Sequence, residues 1–240
     1  MKPKSENIFH FTKTLDVLKL ILKNGICPRY CLEDIEWLEI VDKRIAYPMS
    51  CFCDIPLSRI SEHTDFYGNF GIGLSGSWRD KNKLNPVVYA SQNGHLQSIA
   101  KSLFNLETNT IEENITDILN ENLYLLFSLM KPTRGKMALA SGATVEKDFY
   151  QENEWRYVPP VYNLIEESKF FEERDAENSA IEQYKLHITP SDIKYLFVKE
   201  EKDIPELVDF INANLGKFPH NDMKILLSRI VALSTLQSDL

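Results

Sequence analysis

The sequence is short of most features that would assign a chain to a special class. No apolar run approaches the roughly 18–20 residues that a membrane-spanning helix needs. Glycine and proline together make only 20 of 240 residues, too few for a collagen-like or low-complexity chain. Basic residues are outnumbered, 27 Lys and Arg against 35 Asp and Glu, for a net charge of -8. That balance argues against broad, nonspecific grip on a phosphate backbone, which needs clustered cations, although it allows a local basic groove. The start, Met1 to Asn7, lacks a long apolar segment of signal-peptide type and runs directly into Ile8-Phe9-His10-Phe11. A soluble, cytoplasmic protein is expected.

Cysteine is also scarce: Cys27, Cys31, Cys51 and Cys53. Without a secretory signal, a disulfide framework is not expected. The spacings C-x3-C and C-x-C fit a zinc site poorly, because the second pair is too tight. A cysteine nucleophile would need a histidine partner that the sequence does not place. No metal site is expected.

What is present is ordinary globular material, 43% hydrophobic and 26% charged. Ile8–Phe11 reads as a short strand. Leu15, Leu18, Ile21 and Leu22 then share one helical face, with Thr12 or Thr14 as N-cap and Asn24-Gly25 as the stop. Glu33–Val41 reads as a helical turn or irregular segment, Ala46–Cys53 as a buried strand, and Leu57–Thr64 as a short helix. Tyr67 to Ser75, with Gly68, Gly71 and Gly73, suggests a turn feeding a strand that something approaches closely. Asn85–Tyr89 is a further strand.

His95–Leu106 and Ile111–Met130 have helical spacing and form a helical insertion at about 95–130. Lys131, Arg134 and Lys136 make a basic loop, and Phe149–Val158 reads as a strand. Glu166 to Glu177 is an acidic loop or helix face. Lys185–Ile188 and Tyr195–Val198 are expected strands, followed by helices at Pro205–Leu215 and Asn221–Leu236. Neither a repeat nor a linker interrupts the chain. We expect one α+β domain over residues 1–240, with short mixed or antiparallel strands, a helical insertion and C-terminal helices.

Three groups of residues could carry chemistry. His10 sits in a buried strand just before the helix that begins at Thr12, where it is either a hydrogen-bonded core histidine or a ligand-orienting group at a cleft edge. Tyr67 and the glycines after it could floor a site on which a flat ring stacks, or simply bend a sheet. Glu152, Glu154 and Arg156 alternate, so in one strand they share a face, with Trp155 and Tyr157 opposite. Such a face is either a solvent-facing salt-bridged strand or a place where a carboxylate, oriented by arginine, meets a cationic transition state.

The chain resembles the AbiGi-type abortive-infection family of bacterial phage-resistance proteins. The likeness rests on His10-Phe11-Thr12 with the helix and Pro28-Arg29-Tyr30 after it, on Pro48–Ser58 (PMSCFCDIPLS), on Tyr67–Ser75 (YGNFGIGLS), on Phe149–Pro159 (FYQENEWRYVP) and on the ending from Leu227. This family carries an antitoxin label, which implies a separate partner toxin.

A second, more distant resemblance is to ADP-ribosyltransferases of the His–Tyr–Glu type. It implies NAD as substrate, with His10, Tyr67, Glu154 and Glu152 catalytic and His10, Thr12, Arg29, Tyr67 and Arg156 holding the dinucleotide. In that picture His10 contacts the ribose, and Tyr67, or Tyr89 in its place, stacks on nicotinamide. Glu154 stabilises an oxocarbenium-like transition state, as in glycoside cleavage, and Glu152 takes the acceptor's proton. Arg29 and Arg156 meet the pyrophosphate or orient Glu154. The acceptor would be a nucleic acid or a protein. The chain departs from that type in lacking its serine-threonine-serine strand, where Y-G-x-F-G-I-G stands instead. The leading expectation is therefore an antiphage enzyme with an ADP-ribosyltransferase-like fold that transfers ADP-ribose, with a cognate toxin or antitoxin as partner. The alternative is neutralisation of a partner toxin by a non-catalytic, antitoxin-like module.

Overall fold

The structure is a computed structural model that describes residues 6–39, 44–105, 113–138 and 144–239. Helices and mixed, mainly antiparallel strands alternate irregularly, so the α+β class holds. Contacts gather the chain into two compact units. The first comprises residues 1–27, 51–84 and 185–240, and the second residues 28–50 and 85–184.

In the first unit the strand Asn7–Thr12 pairs antiparallel with Phe70–Ser75 along its whole length, from Asn7 opposite Ser75 to Thr12 opposite Phe70. Its other edge meets Cys53 at Phe9. Phe70–Ser75 in turn pairs antiparallel with Ile193–Val198, which takes Ile230–Ala232 as a parallel neighbour. Alternation along Asn7–Thr12 sends Phe9 and Phe11 to one face, where they join Cys53, Ile55, Ile60, Phe197 and Leu233 in a closed cluster. Burying each such aromatic ring contributes about 1.5–3 kcal/mol.

The helix that follows, Leu15–Asn24, starts as its cap chemistry requires. The Thr14 hydroxyl accepts from the Val17 amide at 3.3 Å, and the helix buries Leu18, Ile21 and Leu22. It stops at Gly25, whose φ of 93° and approach to the Leu186 carbonyl leave no room for a side chain.

In the second unit the strand Arg29–Asp34 pairs antiparallel with Arg44–Cys53, Arg29 facing Met49 and Asp34 facing Arg44. Ile165–Glu166 also pairs with that strand, Ile165 opposite Ala46. Glu154–Tyr157 lies antiparallel to Asn85–Pro86. Val88–Ala90 and Met130–Pro132 run parallel, and Gly135–Ala138 pairs with Thr144–Lys147. The helices are His95–Phe104, Glu113–Ser128 and Phe170–Ala180. Tyr30, Ala46, Ile165, Phe170 and Ile181 form one core cluster.

Several local expectations are corrected. Residues 29–34 form a strand, and only Glu36–Leu38 is a helical turn. The basic loop is two strands, and its Lys131 is buried. Phe149–Glu152 is a 3-10 turn, and the strand begins at Glu154 after Asn153 takes a left-handed conformation at φ 44°. Asparagine tolerates that region better than most residues. Lys185–Ile188 makes only an isolated bridge at Leu186. Asn221–Leu236 splits into two helices, His220–Leu227 and Leu233–Asp239, around the strand Ile230–Ala232. The expected elements at Glu33–Val41 and Ile111–Met130 lie partly outside the described residues.

Candidate functional site

The candidate residues fall into both units. In the first, His10 sits mid-strand with its ring against Phe52, and its Nδ1 lies 2.8 Å from the Cys51 carbonyl oxygen. A carbonyl only accepts, so Nδ1 carries the proton. Burial disfavours the imidazolium and holds His10 below the ordinary histidine range, and the bond to Cys51 opposes this only partly. Thr12 is buried, and its hydroxyl donates to the Thr14 carbonyl at 3.1 Å at the helix entry. Tyr67 is the last residue of the helix Ile60–Tyr67 and stacks on His63, with centroids 4.4 Å apart.

The glycines after Tyr67 have a local explanation. Phe9 and Phe11 are the direct cross-strand partners of Gly73 and Gly71. A Cβ at Gly71 would lie 2.5 Å from the Phe11 ring, and one at Gly73 would lie 2.9 Å from the Phe9 ring. The chain's own aromatic side chains therefore fill the space that a ligand ring was expected to take.

The second unit holds a buried network of charge around Arg156, which is wholly inaccessible to solvent. Its Nε donates to Glu154 Oε1 at 2.8 Å, and its Nη2 donates to Glu154 Oε2 at 3.2 Å and to Glu33 Oε2 at 2.7 Å. Its Nη1 donates to the Ser128 carbonyl at 2.6 Å. Lys131 approaches from the strand Met130–Pro132, 3.1 Å from Glu154 Oε2 and 3.8 and 3.9 Å from Glu33 and Glu152. Its ammonium also lies over the Phe149 ring, 4.3 Å from the centroid. Lys147 pairs with Glu152. Three carboxylates thus face three cations.

Burial alone would push the Lys131 ammonium towards its neutral form. Glu154, Glu33 and Glu152 together outweigh that effect and hold it above the ordinary lysine range, with Arg156 opposing. The Tyr89 hydroxyl accepts the Glu154 backbone N–H at 2.9 Å, which fixes the start of the strand. Burial, only partly offset by that bond, raises the Tyr89 phenol above its ordinary range.

Glu154 and Arg156 do share a strand face, as alternation predicts, but that face is interior. Glu152 joins it from the preceding turn. Arg29 has a different setting: it is exposed and borders a surface pocket of about 530 Å³ with Tyr30, Phe170 and Arg174. Sequence reasoning missed Glu33, Lys131 and Lys147. A period-2 reading of Arg29–Asp34 would have put Glu33 on an alternating face, whereas no local signal pairs it with Arg156, 123 residues on.

Among the described residues no group of three His, Cys, Asp or Glu side chains could hold a metal ion, and no helix is long and apolar enough to cross a membrane. None of the four cysteines is joined in a disulfide.

Residues 24–199 match the family model described as "Putative abortive phage resistance protein AbiGi, antitoxin". The chain is also 28% identical over 244 aligned residues to a protein of Lactococcus lactis subsp. cremoris named "Abortive phage resistance protein AbiGi", covering 88% of this chain and 98% of that relative. No solved structure matches. These matches bear on the first resemblance and lend no support to the likeness to ADP-ribosyltransferases. The matched residues include Glu33, Lys131, Glu154 and Arg156, and with a family model spanning well over half of its length, the chain belongs to the AbiGi family of abortive phage resistance proteins.

Proposed function

We propose that this protein acts in phage defence as an antitoxin-like binding module, neutralising a partner toxin by occupying it rather than by catalysis. The observation that carries the reading is the state of Glu154. A carboxylate that stabilises a cationic transition state has to keep its charge available to the reacting atoms. Here both oxygens of Glu154 are already met by Arg156 and Lys131 behind a closed surface. Glu152, the proposed proton acceptor, is equally buried against Lys147 and Lys131. These residues do not suit the roles that NAD-dependent transfer requires of them. The family's antitoxin description supports the same conclusion.

Growth assays separate the two functions. The protein made alone is expected to be harmless, and made beside the toxin of its abortive-infection pair it is expected to restore growth. Purified protein incubated with NAD and cell lysate is expected to release no nicotinamide and to label no acceptor. Growth arrest by the protein alone, abolished by Glu154→Gln, would return the ADP-ribose transfer reading.

A further inference from the structure

The second unit carries a groove that the charge network does not use. It has a volume of about 440 Å³ and lies between the helix Glu113–Ser128, Phe104 at the end of the preceding helix, Tyr47, and the segment carrying Tyr162 and Leu164. Its walls are aromatic and set at steep angles. Tyr47 and Tyr124 meet at 66° with centroids 5.5 Å apart, Tyr124 and Tyr162 at 88° and 5.8 Å, and Phe104 and Phe127 at 71° and 5.2 Å. Tyr124 is fixed by donating its hydroxyl proton to the Asn163 carbonyl at 3.0 Å. Burial raises both the Tyr47 and the Tyr124 phenols, so these walls stay neutral.

Among the described residues the charged side chain that lines the groove is Glu121, and it is exposed. Among the described residues Glu121 has no cationic partner. The apolar surface continues outward through Tyr162, 44% exposed, and Leu164, 40% exposed.

Crossed aromatic rings present negative faces that attract a cation, best when part of its water is stripped away. A carboxylate beside them adds a directed salt link for a planar guanidinium. Leucine and ring surface would receive the aliphatic stem of the same side chain. Arginine is also among the residues that anchor protein interfaces most strongly, and a chain with a net charge of -8 is complementary to a basic partner. We infer that this groove is the docking site for an arginine side chain on the basic face of a partner protein. The inference deepens the antitoxin reading and rests on it for the identity of that partner as the toxin.

The test uses the full chain and three probes: N-acetyl-arginine methylamide and its citrulline and norleucine counterparts. Citrulline keeps the length and loses the charge, and norleucine keeps only the apolar stem. Binding is followed through the tyrosine ring resonances. The arginine probe is expected to shift Tyr124 and Tyr162 and to bind roughly tenfold more tightly than either control. Glu121→Gln and Tyr162→Ala are each expected to weaken it about three- to tenfold, and Glu121→Gln is expected to leave the melting temperature unchanged, since that side chain is exposed. Equal binding of citrulline or norleucine, indifference to Glu121→Gln, or no binding of the arginine probe overturns the inference.

Toxin neutralisation is scored separately. Wild-type protein that binds the arginine probe and fails to neutralise overturns the antitoxin reading alone. A Glu121→Gln/Tyr162→Ala double variant that neutralises as well as wild type overturns the groove as the docking site and leaves the antitoxin reading standing.

Discussion

Arg156 grips Glu154, its neighbour but one on the same strand, through two hydrogen bonds of 2.8 and 3.2 Å, with both side chains withdrawn from solvent. The pair is fork-shaped and charge-assisted, so geometry and charge reinforce each other. Its third and fourth bonds, to Glu33 and the Ser128 carbonyl, tie the Glu154–Tyr157 strand to the Arg29–Asp34 strand and to the end of the helix Glu113–Ser128. Removing the guanidinium would leave the buried Glu154 carboxylate and the partly buried Glu33 carboxylate with less than their share of positive charge. Arg156→Met is therefore expected to cost about 3–5 kcal/mol of unfolding free energy in urea titrations. Arg156→Lys is expected to recover only part of it, because an ammonium cannot make the paired contact. A loss below about 1 kcal/mol for the methionine variant would mean that the network does not hold this unit together.

Lys131 gives the same network a pH signature. Its folded-state pKa lies above the ordinary lysine value of about 10.4 because the surrounding carboxylates outweigh burial. Below about pH 10.4 the ammonium is charged in both folded and unfolded chains, and its contribution is fully present. As pH rises past that point the unfolded chain gives up the proton first, so stability falls with pH. Unfolding free energy measured from pH 9 to 11 is expected to decline more steeply for wild type than for Lys131→Met, although the variant starts lower.

These two residues also show how far a linear reading reaches. The strand–helix unit from Ile8 to Gly25 was legible because its signals are local: alternation, an apolar stripe at helical spacing, a threonine cap and a glycine stop. Alternation likewise put Glu154 and Arg156 on one face. Which side of the sheet is interior depends on what packs against it, and Glu33 and Lys131 arrive from strands far away in sequence. Lys131 looked like part of a basic loop because Lys131, Arg134 and Lys136 are close neighbours, yet only Lys131 points inward: Arg134 and Lys136 pair with exposed acids. The short strand Ile230–Ala232 was hidden for a related reason. Three apolar residues between two helices carry no period of their own, and they become a strand only by pairing with Leu196–Val198.

Gly68 connects the Tyr67 helix to the next strand at φ 115°, and a Cβ there would sit 2.2 Å from the Thr12 carbonyl oxygen. Both the backbone angle and the space exclude a side chain, and the obstacle is backbone rather than a movable ring. Gly68→Ala is expected to lower unfolding free energy by on the order of 1–3 kcal/mol from the backbone angle alone, with the clash added to that. At Gly71 the first obstacle is the Phe11 ring, 2.5 Å away. The paired variant Gly71→Ala/Phe11→Leu is therefore expected to lose less than the sum of its single changes, a coupling that a double-mutant cycle reads directly. Strict additivity would mean that the ring and the glycine do not share that space.

His10 supplies a second pH window, opposite in sign to that of Lys131. Burial lowers its folded-state pKa, and the bond from Nδ1 to the Cys51 carbonyl restores only part of the loss. Above the unfolded value of about 6.5 the ring is neutral in both states and costs nothing. As pH falls below that value the unfolded chain takes up a proton that the folded chain resists, so the protein loses stability on acidification. His10→Asn separates this term from the carboxylates that titrate lower. An asparagine amide can still donate to Cys51 from nearly the position of Nδ1, but it carries no ionisable proton. The variant is expected to lose less stability than wild type between pH 7 and pH 5, with little change above pH 7. If both proteins decline in parallel over that range, the proton uptake belongs to another group and His10 is not held neutral by its surroundings.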